Sequence, residues 1–99
     1  MITFIRTASI APGKTPEALA FAQHITKYLK HKHNITVEIL VPIGGNPNRI
    51  AWHVRYESLA AVEANAAKLL ADAEYMGIIG KNAATFLPGT MHDEIWRGL

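Results

Sequence analysis

The chain has 99 residues, about one domain's worth, with 49% hydrophobic and 18% charged side chains, which excludes a mostly disordered polymer. Ten Lys and Arg stand against eight Asp and Glu, a net charge of +2 that is too small by itself to mark a nucleic-acid binder. No cysteine is present, so disulfides, thiolate metal sites and thiol nucleophiles are excluded, and a second copy of the chain is a natural way to complete so thin a core.

Residues 2–10 set Ile2, Phe4, Ala8 and Ile10 at alternate positions with Thr3, Thr7 and Ser9 between, which predicts a strand. Ala11-Pro12-Gly13-Lys14 breaks it. Thr15-Pro16 reads as a hydroxyl N-cap followed by proline in the first turn. Ala18, Phe21, Ala22, Ile25, Tyr28 and Leu29 then form one apolar helical stripe. Lys30, His31 and Lys32 suit the negative end of that helix, and Asn34 suits a left-handed stop. Residues 35–43 alternate Ile35, Val37, Ile39, Val41 and Ile43, predicting a second strand, and Gly44–Asn48 predicts a hairpin loop. Residues 49–57 predict a third strand, with Ile50, Trp52, Val54 and Tyr56 on one face and Ala51, His53 and Arg55 on the other. Ser58 caps a helix to about Leu70. Asp72 caps a further helical piece, weakened by Gly77 and Gly80 and ended by Pro88-Gly89. Residues 90–97 predict a last strand.

This order predicts an α+β, ferredoxin-like βαββαβ domain over residues 1–99, with an extra helical piece before the last strand. Helices cover one face of an antiparallel sheet. The other face needs cover too, and two sheets packed face to face in a homodimer would supply it. No apolar run approaches the ~20 residues of a membrane span. The first residues lack a basic stretch followed by an apolar one, so no signal peptide is read and a cytoplasmic location is expected.

Three segments occur in a familiar order. The first is Ile5-Arg6-Thr7 followed by Pro12-Gly13-Lys14. The second is Gly45, Asn46 and Asn48 leading into Tyr56-Glu57-Ser58-Leu59. The third is the helix with Ala60, Ala61, Ala64, Ala66 and Ala67, followed by Asp72-Ala73-Glu74-Tyr75. Together they resemble the NIPSNAP-like branch of the dimeric α/β-barrel superfamily, over roughly residues 2–87. The chain departs from the family at Val54-Arg55-Tyr56, where an aromatic-acidic-Tyr run is usual, and at Tyr75, which stands in place of a tryptophan. The resemblance implies a homodimer whose two sheets form a barrel with a pocket inside. The superfamily includes monooxygenases, haem-degrading enzymes, dehydratases and cyclases, among which a shared fold does not choose.

Five residues are candidates for a site. Arg6 lies mid-strand among apolar neighbours, where a guanidinium needs either an anionic ligand or a structural acid, Asp93 or Glu94. His53 is a general-base candidate with Arg55 beside it to hold a carboxylate or enolate oxygen; the competing reading is a plain histidine and an edge arginine. Trp52 and Tyr56 share a face with Phe4 and Arg6 and could form an apolar pocket wall or the core of a dimer interface. Apolar patterning turns that face toward the helices, whereas the resemblance turns it into the barrel; the expectation adopted is the barrel.

Other signals are weaker. His24, His31 and His33 lack the spacing of a metal site, so no metal is expected. No cofactor is assigned, although the haem-degrading relatives make His24, His53 and His92 the axial candidates. Gly77-Ile78-Ile79-Gly80-Lys81 lacks the spacing of a phosphate loop and follows no strand. Arg49–Tyr56 laid on an RNA-recognition pattern puts Ala51 and His53 where stacking aromatics belong, so no nucleic-acid partner is expected. The sequence therefore leads to a small homodimer binding a partly apolar molecule, with cofactor-independent acid–base or monooxygenase-type chemistry as its enzymatic version. The alternative is a non-catalytic interaction protein with a barrel filled by side chains. Whether it is an enzyme stays open.

Overall fold

The computed structural model describes residues 1–99. Its elements are β1 (Ile2–Ser9), α1 (Thr15–His33), β2 (Val37–Leu40), β3 (Arg49–Tyr56), α2 (Leu59–Leu70), α3 (Ala73–Lys81), a single 3-10 turn at Ala83–Thr85, and β4 (His92–Arg97). The four strands form one antiparallel sheet in the order β2-β3-β1-β4, the ferredoxin-like arrangement expected. No helix is long and apolar enough to cross a membrane.

Residues opposite each other across an antiparallel pair share a face of the sheet. The register therefore sorts the side chains into two sets. Phe4, Arg6 and Ala8 lie opposite Val54, Trp52 and Ile50 on β3, and Phe4 and Arg6 lie opposite Ile95 and Asp93 on β4. This set meets the helices. Phe21, Ile25 and Leu29 of α1 pack on Val37 and Val54, and Ala18 and Ala22 close on Ile10 and Ile50. The two alanines have no exposed surface and let the helix backbone come close enough to bury Ile50 to 1% exposure. The other set, with Ile5, Leu40, His53, Arg55, Glu94 and Trp96, is covered by no helix.

Three local expectations change. Thr15 is the first helical residue rather than the cap; Lys14 takes the cap position and makes no side-chain cap bond. The second strand spans Val37–Leu40 only. Its start is lost because Asn34 adopts the left-handed conformation (φ 54°) and the Ile35 N–H turns back to the Leu29 carbonyl at 3.1 Å, pulling Ile35 into the core. Its end is lost because Pro42 has no N–H to pair, so Val41 and Ile43 sit exposed in the loop. The last strand begins at His92, since the turn through Gly89 occupies the preceding residues.

Candidate functional site

The centre of the helix-side face, at the middle of β1, is polar. Arg6 donates from Nε and Nη2 to the two carboxylate oxygens of Asp93 at 2.7 and 2.8 Å. This is a parallel, charge-assisted pair, and it holds the Asp93 carboxyl below its ordinary range. The guanidinium also lies 5.6 Å from the centre of the Phe4 ring. Tyr56 at the end of β3 and Tyr75 in the first turn of α3 complete the group. Burial pushes both phenols up from their ordinary range, with Tyr75 adding to the effect on Tyr56 and Arg6 opposing it in both. Of the three tyrosines, only Tyr28 has its hydroxyl hydrogen-bonded within the protein.

Trp52 faces Arg6 across the β1–β3 pair. Its ring meets Phe21 and Phe86 edge-on, at centroid distances of 6.2 and 5.7 Å. Its indole nitrogen is buried with no protein partner, as is the Thr26 hydroxyl. An unpaired buried donor is costly, so the Trp52 N–H can donate to any acceptor that reaches it.

The five candidate residues thus divide between two faces. Arg6, Trp52 and Tyr56 share the helix side. The barrel-facing placement adopted for Trp52 and Tyr56 is overturned: the α1 stripe needs an apolar partner, and the Ile50–Tyr56 set is the most apolar face the sheet has. Of the two readings weighed for Arg6, the structure realises the pair with Asp93. His53 and Arg55 lie on the uncovered side. There the His53 ring nitrogen Nδ1 sits 3.1 Å from Glu38 Oε1, directly across the β2–β3 pair. On the same side His92 contacts Glu94 at 3.2 Å, and Glu94 accepts the Trp96 indole N–H at 2.8 Å. His24 is exposed on α1, on the helix side of the sheet, whereas His53 and His92 lie on the uncovered side. No three or more His, Asp or Glu side chains cluster as a metal ion would need.

Sequence reasoning missed the most connected polar group. Asp72, expected only as a helix cap, accepts the Glu74 and Tyr75 backbone N–H groups at the start of α3. It also accepts the Tyr28 hydroxyl at 2.6 Å and the Lys32 ammonium at 3.3 Å, and contacts His33 Nε2 at 2.7 Å. The Tyr28 bond, then the His33 bond, hold its carboxyl far below the ordinary range. This knot ties the end of α1 to the α2–α3 junction. The signal available was the i, i+4 pair Tyr28 and Lys32 beside His33, all placed to meet an acid that the sequence separates by some forty residues. Tyr75 was visible only as a departure from a family tryptophan.

No family model and no curated protein matches the chain. Solved structures do. An uncharacterised NIPSNAP domain protein from Burkholderia xenovorans superposes with a TM-score of 0.85 at 18% identity, over 100% of this chain and 95% of that one. A NIPSNAP family protein of unknown function from Agrobacterium tumefaciens gives 0.79 at 20% identity, over 99% and 87%. A protein put forward as an antibiotic biosynthesis monooxygenase, from Nitrosomonas europaea, gives 0.75 at 18% identity, over 100% and 99%. The chain has the ferredoxin-like fold of these proteins, and the NIPSNAP resemblance read from its sequence agrees with its structural neighbours.

Proposed function

We propose that the protein is a homodimer, joined through the uncovered sheet faces, that binds a small, partly apolar molecule in each protomer beside Arg6 and α3. One observation carries the ligand reading. A bidentate Arg6–Asp93 pair, two phenols with free hydroxyls and an unpaired indole N–H gather on the sheet face that is otherwise core. The Arg6–Asp93 pair satisfies itself, but the two phenol hydroxyls and the buried indole N–H have no protein partner, and such groups cost free energy until a ligand meets them. The ligand class follows from the donors: an aromatic or conjugated ring against Phe4 and Trp52, bearing an oxygen that the Tyr56 and Tyr75 hydroxyls and Arg6 can hydrogen-bond. Such donors favour an enolate or phenolate oxygen over its neutral form. That electron-rich form is the starting point shared by acid–base and oxygenation chemistry, which accords with the monooxygenase assignment of one structural neighbour.

The dimer reading is supported by the uncovered face, where Leu40 and Trp96 are 39% and 61% exposed in the single chain. Two such faces packing together form a sandwich of the usual kind. His53 and Arg55 then lie at the seam between protomers, apart from the pocket. The second reading, a dimer that works through protein contacts alone, draws on the bulk of Ile5, His53, Arg55 and Trp96, which would fill the space between sheets.

Native mass spectrometry of the protein as purified from cells, with a denatured control, tests both. A dimer carrying a non-covalent mass, lost in Arg6→Met and Tyr75→Phe, supports the pocket. A dimer with no adduct and no response to added 4-hydroxybenzoate overturns it in favour of the filled sandwich. A monomer at every concentration overturns the dimer.

A further inference from the structure

The sheet face that no helix covers holds six charged or titratable side chains. They are Glu38 on β2, Arg49, His53 and Arg55 on β3, and His92 and Glu94 on β4, set on one side by strand alternation and register. The β1 side chains between them are uncharged, and the adjoining loops, 41–48 and 86–91, add no charge. Each histidine stands beside an acid of its own chain. His53 Nδ1 lies 3.1 Å from Glu38 Oε1, and His92 Nε2 lies 3.2 Å from Glu94 Oε2. Neither Arg49 nor Arg55 makes an ion pair.

Two arginines balance two glutamates, so the face is neutral while both histidines are neutral and carries +2 once both are protonated. Packing two copies face to face encloses twice that charge. In the neutral state each unpaired arginine has a glutamate that a partner copy can offer it. Protonation removes that match in two ways. The imidazolium charges add to those of the arginines, and each imidazolium holds its own glutamate, which the partner's arginines then lose. Charge between two sheets is screened less than at an open surface, and unmatched charge is costly to enclose.

We propose that the seam between protomers is proton-sensitive: the homodimer closes while His53 and His92 are neutral and opens as they take up protons, between about pH 8 and about pH 5. This rests on the dimer reading above and adds to it what governs the association. The sign follows from linkage: separated faces bind more protons than packed ones, so the dimer weakens as the pH falls. The two histidines of each protomer act together with those of its partner, which makes the response steeper than a single titration.

The test is analytical ultracentrifugation of the full chain over a dilution series at about pH 8 and about pH 5.5, a range in which histidine changes charge and ordinary carboxylates do not. The dimer Kd should rise at least ~10-fold at the lower pH. His53→Gln combined with His92→Gln should keep the dimer and lose most of the pH response, since glutamine is polar, of similar reach and does not titrate. Glu38→Gln combined with Glu94→Gln leaves the arginines unmatched and should weaken the dimer already at the higher pH. A Kd that is the same at both pH values, or a pH response that survives in the histidine variant, overturns the proposal and leaves the dimer standing. A glutamate variant that dimerises as tightly as the parent also overturns it. A monomer at both pH values and every dilution overturns the dimer reading itself, and the proposal with it.

Discussion

Breaking the Arg6–Asp93 pair tests the centre of the candidate site without a ligand. The perturbation is a double-mutant cycle of Arg6→Met, Asp93→Ala and both together. The pair has two parallel charge-assisted bonds of 2.7 and 2.8 Å, a geometry at the strong end for an ion pair. Its side chains keep 34% and 40% of their surface exposed, so water screens it well short of a buried pair. A buried pair loses ~3–5 kcal/mol when one partner goes, and an exposed one ~0–1 kcal/mol. Half-exposed and bidentate, this pair should show a coupling of about 1 kcal/mol near neutral pH. Thermal melts at fixed protein concentration read it as ~4–8 °C of non-additivity for a domain this size. The Asp93 carboxyl is held below its ordinary value of 3.8 by the Arg6 bond. The coupling is therefore fully present above that value and lost as the pH falls through the folded-state pKa. A coupling below ~0.3 kcal/mol, within the ordinary error of additivity, or one that persists unchanged in strong acid, would refute the reasoning.

Other outcomes follow from the same structure. Ile50→Ala empties the space between Ile10, Ala18 and Ala22 and should cost ~2–5 kcal/mol, a fall of at least ~10 °C in Tm by calorimetry; a loss near zero would mean that the core re-closes. Asp72→Asn should lower stability at neutral pH and flatten the loss of stability on acidification, because the wild-type carboxylate contributes above about pH 3.8 and loses that contribution as the pH falls further; parallel pH–Tm curves for both proteins would contradict this. Gly45→Ala should destabilise by ~1–2 kcal/mol, since Gly45 sits at φ +73° and an added Cβ would stand 3.1 Å from Arg49 Nη2, whereas Gly44→Ala meets nothing within 4 Å and should be near neutral in urea unfolding.

Much of the architecture was legible because periodicity is local. The alternation of Ile50, Trp52, Val54 and Tyr56, the stripe from Ala18 to Leu29, the Asn34 stop and the Ser58 and Asp72 caps each depend on residues within one or two turns of chain. Their order was enough to imply the sheet and its helical cover. The pairing of Arg6 with Asp93 was also within reach, as one of two acids on a neighbouring strand.

What the sequence could not decide was which face of the sheet meets which layer, and what meets what across it. The apolar patterning of β3 and the family resemblance pointed its Ile50–Tyr56 face in opposite directions, and the fit of the α1 stripe against Ile50, Trp52 and Val54 decides for the patterning. That selection carries Arg6 and Tyr56 to the helix side and leaves His53 and Arg55 on the other. The Asp72 knot joins residues tens of positions apart, brought together by helix packing rather than by any local pattern. Periodicity is a property of a segment and survives in isolation. A polar site is a property of contacts between segments, and it exists only once the chain has paid the entropy of bringing them together.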